Sequence, residues 1–194
     1  MGNSPEATEI ALVDMDGTIA DYDAGLREGL EPLMSPGEPL YEAHSRGVPP
    51  WAEARMRLVK SQPGFWRNLR KIEDGFKVLD MIVESGFETS ILTKGPRKTH
   101  SAWTEKVEWC AEHVPDLPVT VGHDKGLVYG RVLFDDYPKF ALAWLRHRPR
   151  GVVLMLDGPS NRGFEHPQMV RVMRPFDDGV WATVKGALDR AKLR

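Results

Sequence analysis

Apolar residues along the chain fall into two alternating kinds of run. Short blocks in which nearly every position is apolar occur at Ile10-Ala11-Leu12-Val13, Thr89–Leu92, Val119–Val121, Val132–Phe134 and Gly151–Leu156, with Val170–Met173 as a sixth. Blocks of this length are those of strands buried on both faces. Between them the spacing changes to three and four. Phe76, Leu79, Ile82 and Val83 share one helical face, and Gly86 is placed to stop that helix. Trp103, Val107, Cys110 and Val114 form a second stripe, and Pro138 is suited to open a helix carrying Phe140, Ala141, Trp144 and Leu145. Trp181, Val184, Leu188 and Ala191 mark a last helix, with Asp177 or Asp178 as its cap. Short buried strands alternating with amphipathic helices predict a doubly wound α/β fold, a Rossmann-like parallel sheet covered on both faces.

Residues 23–71 break the alternation. No strand pattern occurs there, and prolines stand at 32, 36, 39, 49, 50 and 63. Trp51, Ala54, Arg55 and Leu58 suggest one helix, and Leu26–Leu33 another. The expected organisation is an α/β core of residues 1–22 and 72–194, with residues 23–71 as a small helical cap over the end of the first strand.

Composition narrows the function classes. A length of 194 residues suits one domain with an insertion, and 41% apolar with 28% charged residues is ordinary for a globular protein. The net charge of -2 offers no footprint for long nucleic acid or an anionic membrane. The basic run Arg146-His147-Arg148-Pro149-Arg150 reads as a solvated helix end. One cysteine excludes an internal disulfide framework and suits a reducing compartment. No apolar stretch approaches a membrane span. Met1 to Glu9 lack a signal-peptide pattern, and Glu6 breaks the myristoylation pattern, so the expected address is cytoplasmic.

In a doubly wound sheet, ligands bind beyond the carboxyl ends of the strands. Those ends carry Asp14 and Asp16 after the first strand, Thr93 after the second, Lys125 shortly after the third, and Asp135-Asp136 after the fourth. Four carboxylates at one point cannot all stay ionised without a cation, and hard oxygen ligands favour Mg²⁺. One carboxylate can attack phosphorus while a second protonates the departing oxygen. A threonine hydroxyl and a lysine can hold the transferring phosphoryl oxygens. The i, i+2 spacing of Asp14 and Asp16 directs both side chains to one side of an extended strand, after which Gly17 lets the backbone turn.

The run Asp14-Met15-Asp16-Gly17-Thr18 resembles the first motif of the haloacid dehalogenase-like phosphatases, and Thr93, Lys125 and Asp135-Asp136 match the remaining three in order. The resemblance covers essentially the whole chain. Within that superfamily the chain is most similar to the 5'(3')-deoxyribonucleotidases, through Asp14–Tyr22 (DMDGTIADY), Pro63-Gly64-Phe65-Trp66, His123-Asp124-Lys125 and Leu133–Pro138. The resemblance implies Asp14 as nucleophile and metal ligand. It implies Asp16 as general acid/base, lending its backbone carbonyl to the metal. One or both of Asp135 and Asp136 would complete a Mg²⁺ site, with Asp136 favoured as the direct ligand, and Thr93 and Lys125 would hold the phosphate. The nucleobase would lie among Tyr22, Phe65 and Trp66. Two places depart from the family's pattern: Lys94-Gly95-Pro96 after Thr93, and Tyr137 after the paired aspartates. Both lie near the substrate.

Taken singly, each motif has a plainer reading. Asp14 and Asp16 can form a turn, Thr93 can cap one, Lys125 can be a solvated loop lysine, and Asp135-Asp136 can cap the helix opened by Pro138. Phe65 and Trp66 suit an insertion's private core as well as a base platform. Gly95–Thr99 lacks the spacing of a P-loop, Cys110 sits on an apolar helical face, and the six histidines show no metal-ligand spacing. The expected activity is hydrolysis of deoxyribonucleoside 5'(3')-monophosphates through an aspartyl-phosphate. A sugar phosphate or other small phosphomonoester, or a catalytically silent phosphate-binding relative, are the alternatives. The expected partner is a small phosphomonoester, without long nucleic acid or membrane; a monomer and a homodimer both remain open.

Overall fold

The computed structural model describes residues 9–42, 45 and 47–193. Six parallel strands form one sheet: β1 (Ile10–Val13), β2 (Glu88–Lys94), β3 (Val119–Gly122), β4 (Val132–Phe134), β5 (Val152–Leu156) and β6 (Met169–Val172). Their spatial order is β3-β2-β1-β4-β5-β6. The order reverses beside β1, so a crevice opens between the carboxyl ends of β1 and β4.

Strand residues alternate between two apolar layers because successive side chains point to opposite faces. Ala11, Val13, Ile91, Phe134 and Leu154 face the larger layer. Leu12, Leu92, Leu133, Val153 and Met155 face the smaller one. The larger layer receives helices α3 (Glu73–Glu84), α4 (Ser101–His113) and α6 (Asp178–Lys192), whose buried residues include Ile82, Trp109 and Leu188. Helix α5 (Pro138–Leu145) supplies Ala141, Trp144 and Leu145 to the smaller layer.

Helix ends follow the local chemistry. Pro138 opens α5, and the side chain of Asp177 accepts from Val180 N at 2.9 Å to start α6. Helix α3 gives way at Ser85 to Gly86, whose φ of +78° is accessible to glycine without strain.

Two helices, α1 (Tyr22–Leu30) and α2 (Pro50–Lys60), lie between β1 and α3. The segment that carries them leaves and re-enters at adjacent points. Asp21 N donates to Arg70 O (2.8 Å), and Ile72 N donates to Ile19 O (2.8 Å).

Several expected helix faces are rotated. Helix α2 buries Ala52, Met56 and Val59, while Trp51 and Leu58 are exposed. Its neighbour α1 presents Gly29 directly beneath Val59, and that close approach selects the face. Val83 and Trp181 likewise sit at the exposed margins of α3 and α6. In α4 the stripe through Trp103 and Val107 is not the buried one. Cys110 and Val114 of the expected stripe are buried, but the rest of the inward face is Ala102, Glu105, Lys106 and Trp109. Two of those are charged, so a search for apolar spacing misplaced the face. Arg148 is also buried rather than solvated, and it donates to Gly126 O (2.8 Å) and Trp144 O (3.2 Å).

Candidate active site

The ladder itself delivers the first two acidic groups. Asp14 N donates to Phe134 O (2.8 Å) and Asp135 N to Leu154 O (3.1 Å), so both residues extend their strands by one step into the crevice. Asp14 Oδ1 accepts from Met15 N (2.7 Å) and pairs with Lys125 Nζ (2.7 Å). These contacts fix the carboxylate and leave Oδ2 uncommitted among the described residues. Lys125 also pairs with Asp135 Oδ2 (2.7 Å), and Asp135 Oδ1 accepts from Tyr137 N (2.8 Å).

Lys125 is aimed by a short turn. Asp124 accepts from Gly126 N (2.8 Å), and the buried Arg148 guanidinium anchors the turn through Gly126 O. Burial acts to lower the Lys125 pKa, but Asp135 and Asp14 together outweigh it and raise it above the usual lysine range.

Asp136 faces the same point from a separate cradle. Ser160 Oγ donates to its Oδ2 (3.0 Å), Asn161 Nδ2 to its carbonyl (2.8 Å), and Thr18 Oγ1 approaches Oδ1 at 3.4 Å. Gly17 has φ +75°, and a Cβ there would stand 2.6 Å from the Asp136 carboxylate, so the turn after Asp16 needs glycine for conformation and for space. Asp14, Asp135 and Asp136 each offer one oxygen within 4.8 Å of the others.

Burial pushes Asp135 up to about 7, against Lys125 and with Asp14. It pushes Asp136 well above the carboxylate range, reinforced by Asp135 and Asp14. Three carboxylates thus crowd one lysine. The charge excess and the hard-oxygen donor set fit a divalent cation.

Asp16 belongs to a second cluster. It forms an ion pair with Lys106 of α4, whose Nζ also donates to Thr93 Oγ1 (3.0 Å) and Lys94 O (2.9 Å). The other carboxylate oxygen of Asp16 is buried and has no partner. Burial raises the Asp16 pKa, Lys106 opposes that, and Asp14 adds to it. Thr93, fully buried, ends up bonded to Lys106 rather than Lys125.

Lys106 was not legible as a site residue, since its neighbours Trp103 and Val107 suggested a different helical face. The available signal is its i±4 pair, Ala102 and Cys110, both small and both buried. Ser160 and Asn161 carried no motif signal.

A cleft of about 380 Å³ runs from these clusters outward, lined by Asp14, Asp16, Asp136, Lys106, Tyr22 and Trp66 among others. Tyr22 and Trp66 stack on each other, with ring centroids 5.5 Å apart at 16°. They form one wall together, not the two sides of a slot. Phe65 is not brought to this cleft: it packs edge-on against Trp66 (5.0 Å) and lines a groove behind, with Leu58 and Leu69. Tyr137 and Phe140 also line the cleft.

Trp66 is held from the core. Glu105, buried next to Lys106 on α4, accepts from Gly64 N (2.8 Å) and Trp66 N (3.0 Å). Lys106 Nζ lies 4.5 Å from the Trp66 ring centre. His123 lies outside the cleft, its Nδ1 3.0 Å from Gly95 O. Among the described residues no helix is long and apolar enough to cross a membrane.

Comparison with known proteins gives concordant results. The family model for the 5' nucleotidase, deoxy (pyrimidine), cytosolic type C protein matches residues 8–179. The human cytosolic-type 5'(3')-deoxyribonucleotidase is 30% identical over 139 residues, which cover 64% of this chain and 69% of that protein. A haloacid dehalogenase-like family hydrolase from Xanthomonas campestris superposes with a TM-score of 0.53 at 13% identity, over 97% of this chain and 99% of the other. A protein of Thermotoga maritima provisionally assigned as a beta-phosphoglucomutase gives 0.50 at 16% identity, over 95% and 99%. At such identities the two structures show the shared fold alone.

Proposed function

The chain belongs to the 5' nucleotidase, deoxy (pyrimidine), cytosolic type C family, and from that premise we propose that it hydrolyses deoxyribonucleoside 5'(3')-monophosphates with Mg²⁺ through an aspartyl-phosphate on Asp14. Family membership makes it a phosphoric monoester hydrolase of the 5'-nucleotidase type, acting on a small phosphomonoester. The observation that carries the finer reading is the division of the site into two clusters. Asp14 is oriented by Lys125 with one oxygen uncommitted, and Asp16 is oriented by Lys106 with one buried oxygen unpartnered.

Asp14, Asp135 and Asp136 would hold the magnesium ion, with the Asp16 backbone carbonyl beside them. Bound there, the ion would neutralise the carboxylates and the charge of the phosphoryl group. Thr93 and Lys106 offer a hydroxyl and an ammonium to the phosphoryl oxygens from one side, and Lys125 offers an ammonium from the other. Asp14 Oδ2 attacks phosphorus, the bond to the nucleoside oxygen breaks, and Asp16 delivers a proton to that oxygen. Asp16 then takes a proton from water, whose oxygen attacks the acyl-phosphate, releasing phosphate and restoring Asp14. Residues 23–71 act as the cap, with Tyr22 and Trp66 forming an aromatic wall beside the nucleoside. Phe65 supports Trp66 from behind rather than touching the base.

Asp14→Asn tests the reading. It should abolish phosphate release from deoxynucleotides while the circular dichroism spectrum stays native. In the parent protein, acid-quenched turnover should leave phosphate on the peptide containing Asp14, and chelation should stop turnover until Mg²⁺ is returned. Substantial activity in Asp14→Asn would overturn the mechanism.

A further inference from the structure

The cations around the cleft fall into two sets. Lys106 and Lys125 each have carboxylate partners, Asp16 for the first and Asp14 with Asp135 for the second. Lys94 and Arg97 line the same cleft and have none among the described residues. The charged end of Lys94 lies 4.9 Å from the centre of the Phe140 ring, and Arg97 makes no hydrogen bond or ion pair with the described residues. Rim cations on a neutral protein are usually just solvated. Three features set this pair apart.

The first is position. Lys125 Nζ also lies 4.9 Å from the centre of the Phe140 ring, so one aromatic side chain meets both the Lys94 ammonium and the lysine that holds Asp14. The second is a braced loop. Gly95 N donates to Gly122 O (3.1 Å), His123 Nδ1 meets Gly95 O (3.0 Å), and Trp103 Nε1 donates to Pro96 O (3.0 Å). The Trp103 ring packs so closely on Gly95 that a Cβ would not fit. The loop that carries both cations is therefore pre-shaped, and little ordering would be required on binding. The third is charge. Burial lowers the Lys94 pKa, and the charged groups acting on it, namely Lys139, Arg97, Lys125 and Lys106, are all cationic and lower it further. Lys94 and Arg97 add positive charge beside cations whose carboxylates are already paired, a standing cost that a bound anion would relieve.

We propose that Lys94 and Arg97 form a second anion subsite, and that the preferred substrate is a nucleoside 3',5'-bisphosphate. One phosphate is hydrolysed at Asp14 while the other is held by these two side chains. The inference rests on the phosphomonoesterase reading above and specifies its substrate. A second phosphate bonded directly to the first, as in a nucleoside diphosphate, would lie at Lys106 and Asp16. Lys94 and Arg97 are exposed at the rim of the cleft while Lys106 and Lys125 are buried at its base, and that difference in depth calls for a spacer of sugar size. The reaction consumes one water, breaks one phosphorus–oxygen ester bond, and yields inorganic phosphate and a nucleoside monophosphate.

Phosphate release is measured from a deoxynucleoside monophosphate, its 3',5'-bisphosphate, the corresponding 5'-diphosphate, a sugar bisphosphate and an aryl phosphate, using the parent protein and Lys94→Ala/Arg97→Ala. Two charge-assisted contacts on a partly exposed rim should give the bisphosphate an advantage of about tenfold in kcat/KM over the monophosphate. The double variant should lose that advantage and keep its rates on the monophosphate and aryl phosphate. Equal rates on the two nucleotides, or an equal loss on every substrate in the variant, would overturn the subsite. Preference for the sugar bisphosphate or the diphosphate would overturn the nucleoside bisphosphate as its occupant. Failure to release phosphate even from the aryl phosphate would refute the phosphomonoesterase reading instead. In that event calorimetric binding still decides the subsite: tighter binding of the bisphosphate that the double variant abolishes supports it, and equal affinities overturn it.

Discussion

Glu105 is the most informative residue to remove, because it ties the segment carrying Trp66 to the helix carrying Lys106. Its two carboxylate oxygens accept from Gly64 N (2.8 Å) and Trp66 N (3.0 Å), and all three residues are buried. Glu105→Ala leaves two amide donors without partners. A hydrogen bond to a charged acceptor contributes about 1.5–3 kcal/mol, and a stranded buried donor costs about 1–3 kcal/mol. Allowing water to reach one amide, the expected loss is about 2–4 kcal/mol. For a chain of this length that corresponds to a fall in Tm of roughly 4–16 °C. If the segment lifts instead of the whole protein unfolding, the same loss shifts its open–closed equilibrium about 30- to 1000-fold. The assays are thermal unfolding followed by tryptophan fluorescence, and steady-state kinetics on a nucleotide and an aryl phosphate. KM for the nucleotide should rise while the aryl phosphate, which does not need the Trp66 wall, is little affected. Glu105→Gln keeps one acceptor but turns an NH₂ toward the second amide, so it should fall in between. Glu108→Ala is the control: its partner Arg67 is about half exposed at 3.2 Å, and the loss should stay below about 0.5 kcal/mol. A Glu105→Ala protein that melts within about 1 °C of the parent and keeps its nucleotide KM would refute the reasoning.

Two further outcomes are expected. Lys106→Met removes the group that joins Asp16 to Thr93, and kcat/KM on an aryl phosphate should drop about 10²- to 10³-fold; a loss below about threefold would show that the lysine does not face the phosphoryl group. Cys110 is completely buried, and burial followed by the nearby Asp16 pushes its thiol up to about 12, so iodoacetamide at pH 8 should label it only after unfolding. Rapid labelling of the native protein would contradict that burial.

The sheet was readable from sequence because parallel strands covered on both faces demand nearly continuous apolar runs. Each of the six runs found its strand within a residue or two. Helical faces were less readable wherever something other than apolarity determined burial. In α4 the inward face contains Glu105 and Lys106, and their burial is explained by partners far away in sequence, the amides at 64 and 66 and the Asp16 carboxylate. In α2 the inward face was set by the fit of Val59 against Gly29. Neither relation has a signature in local spacing.

The same division runs through the site. Asp14, Asp135 and Thr93 sit at strand ends or one step past them, where the ladder determines position, and Asp136 follows directly, so a short motif suffices to place them. The groups around the cleft come from a helix (Lys106), two loops (Trp66 and Arg97) and the residue that ends a strand (Lys94). Their positions depend on contacts such as Glu105 to Trp66 and Trp103 to Pro96, which span loops of independent sequence. A substitution at a strand end therefore endangers the reaction itself. One in the loop after β2 can change which molecule enters while Asp14 and Asp16 stay in place. The segment Lys94-Gly95-Pro96 has this second character: it follows a Thr93 that is bonded to Lys106, and it brings the Lys94 charge to the rim. Chemistry and substrate choice are separable in this fold because separate kinds of structure hold them.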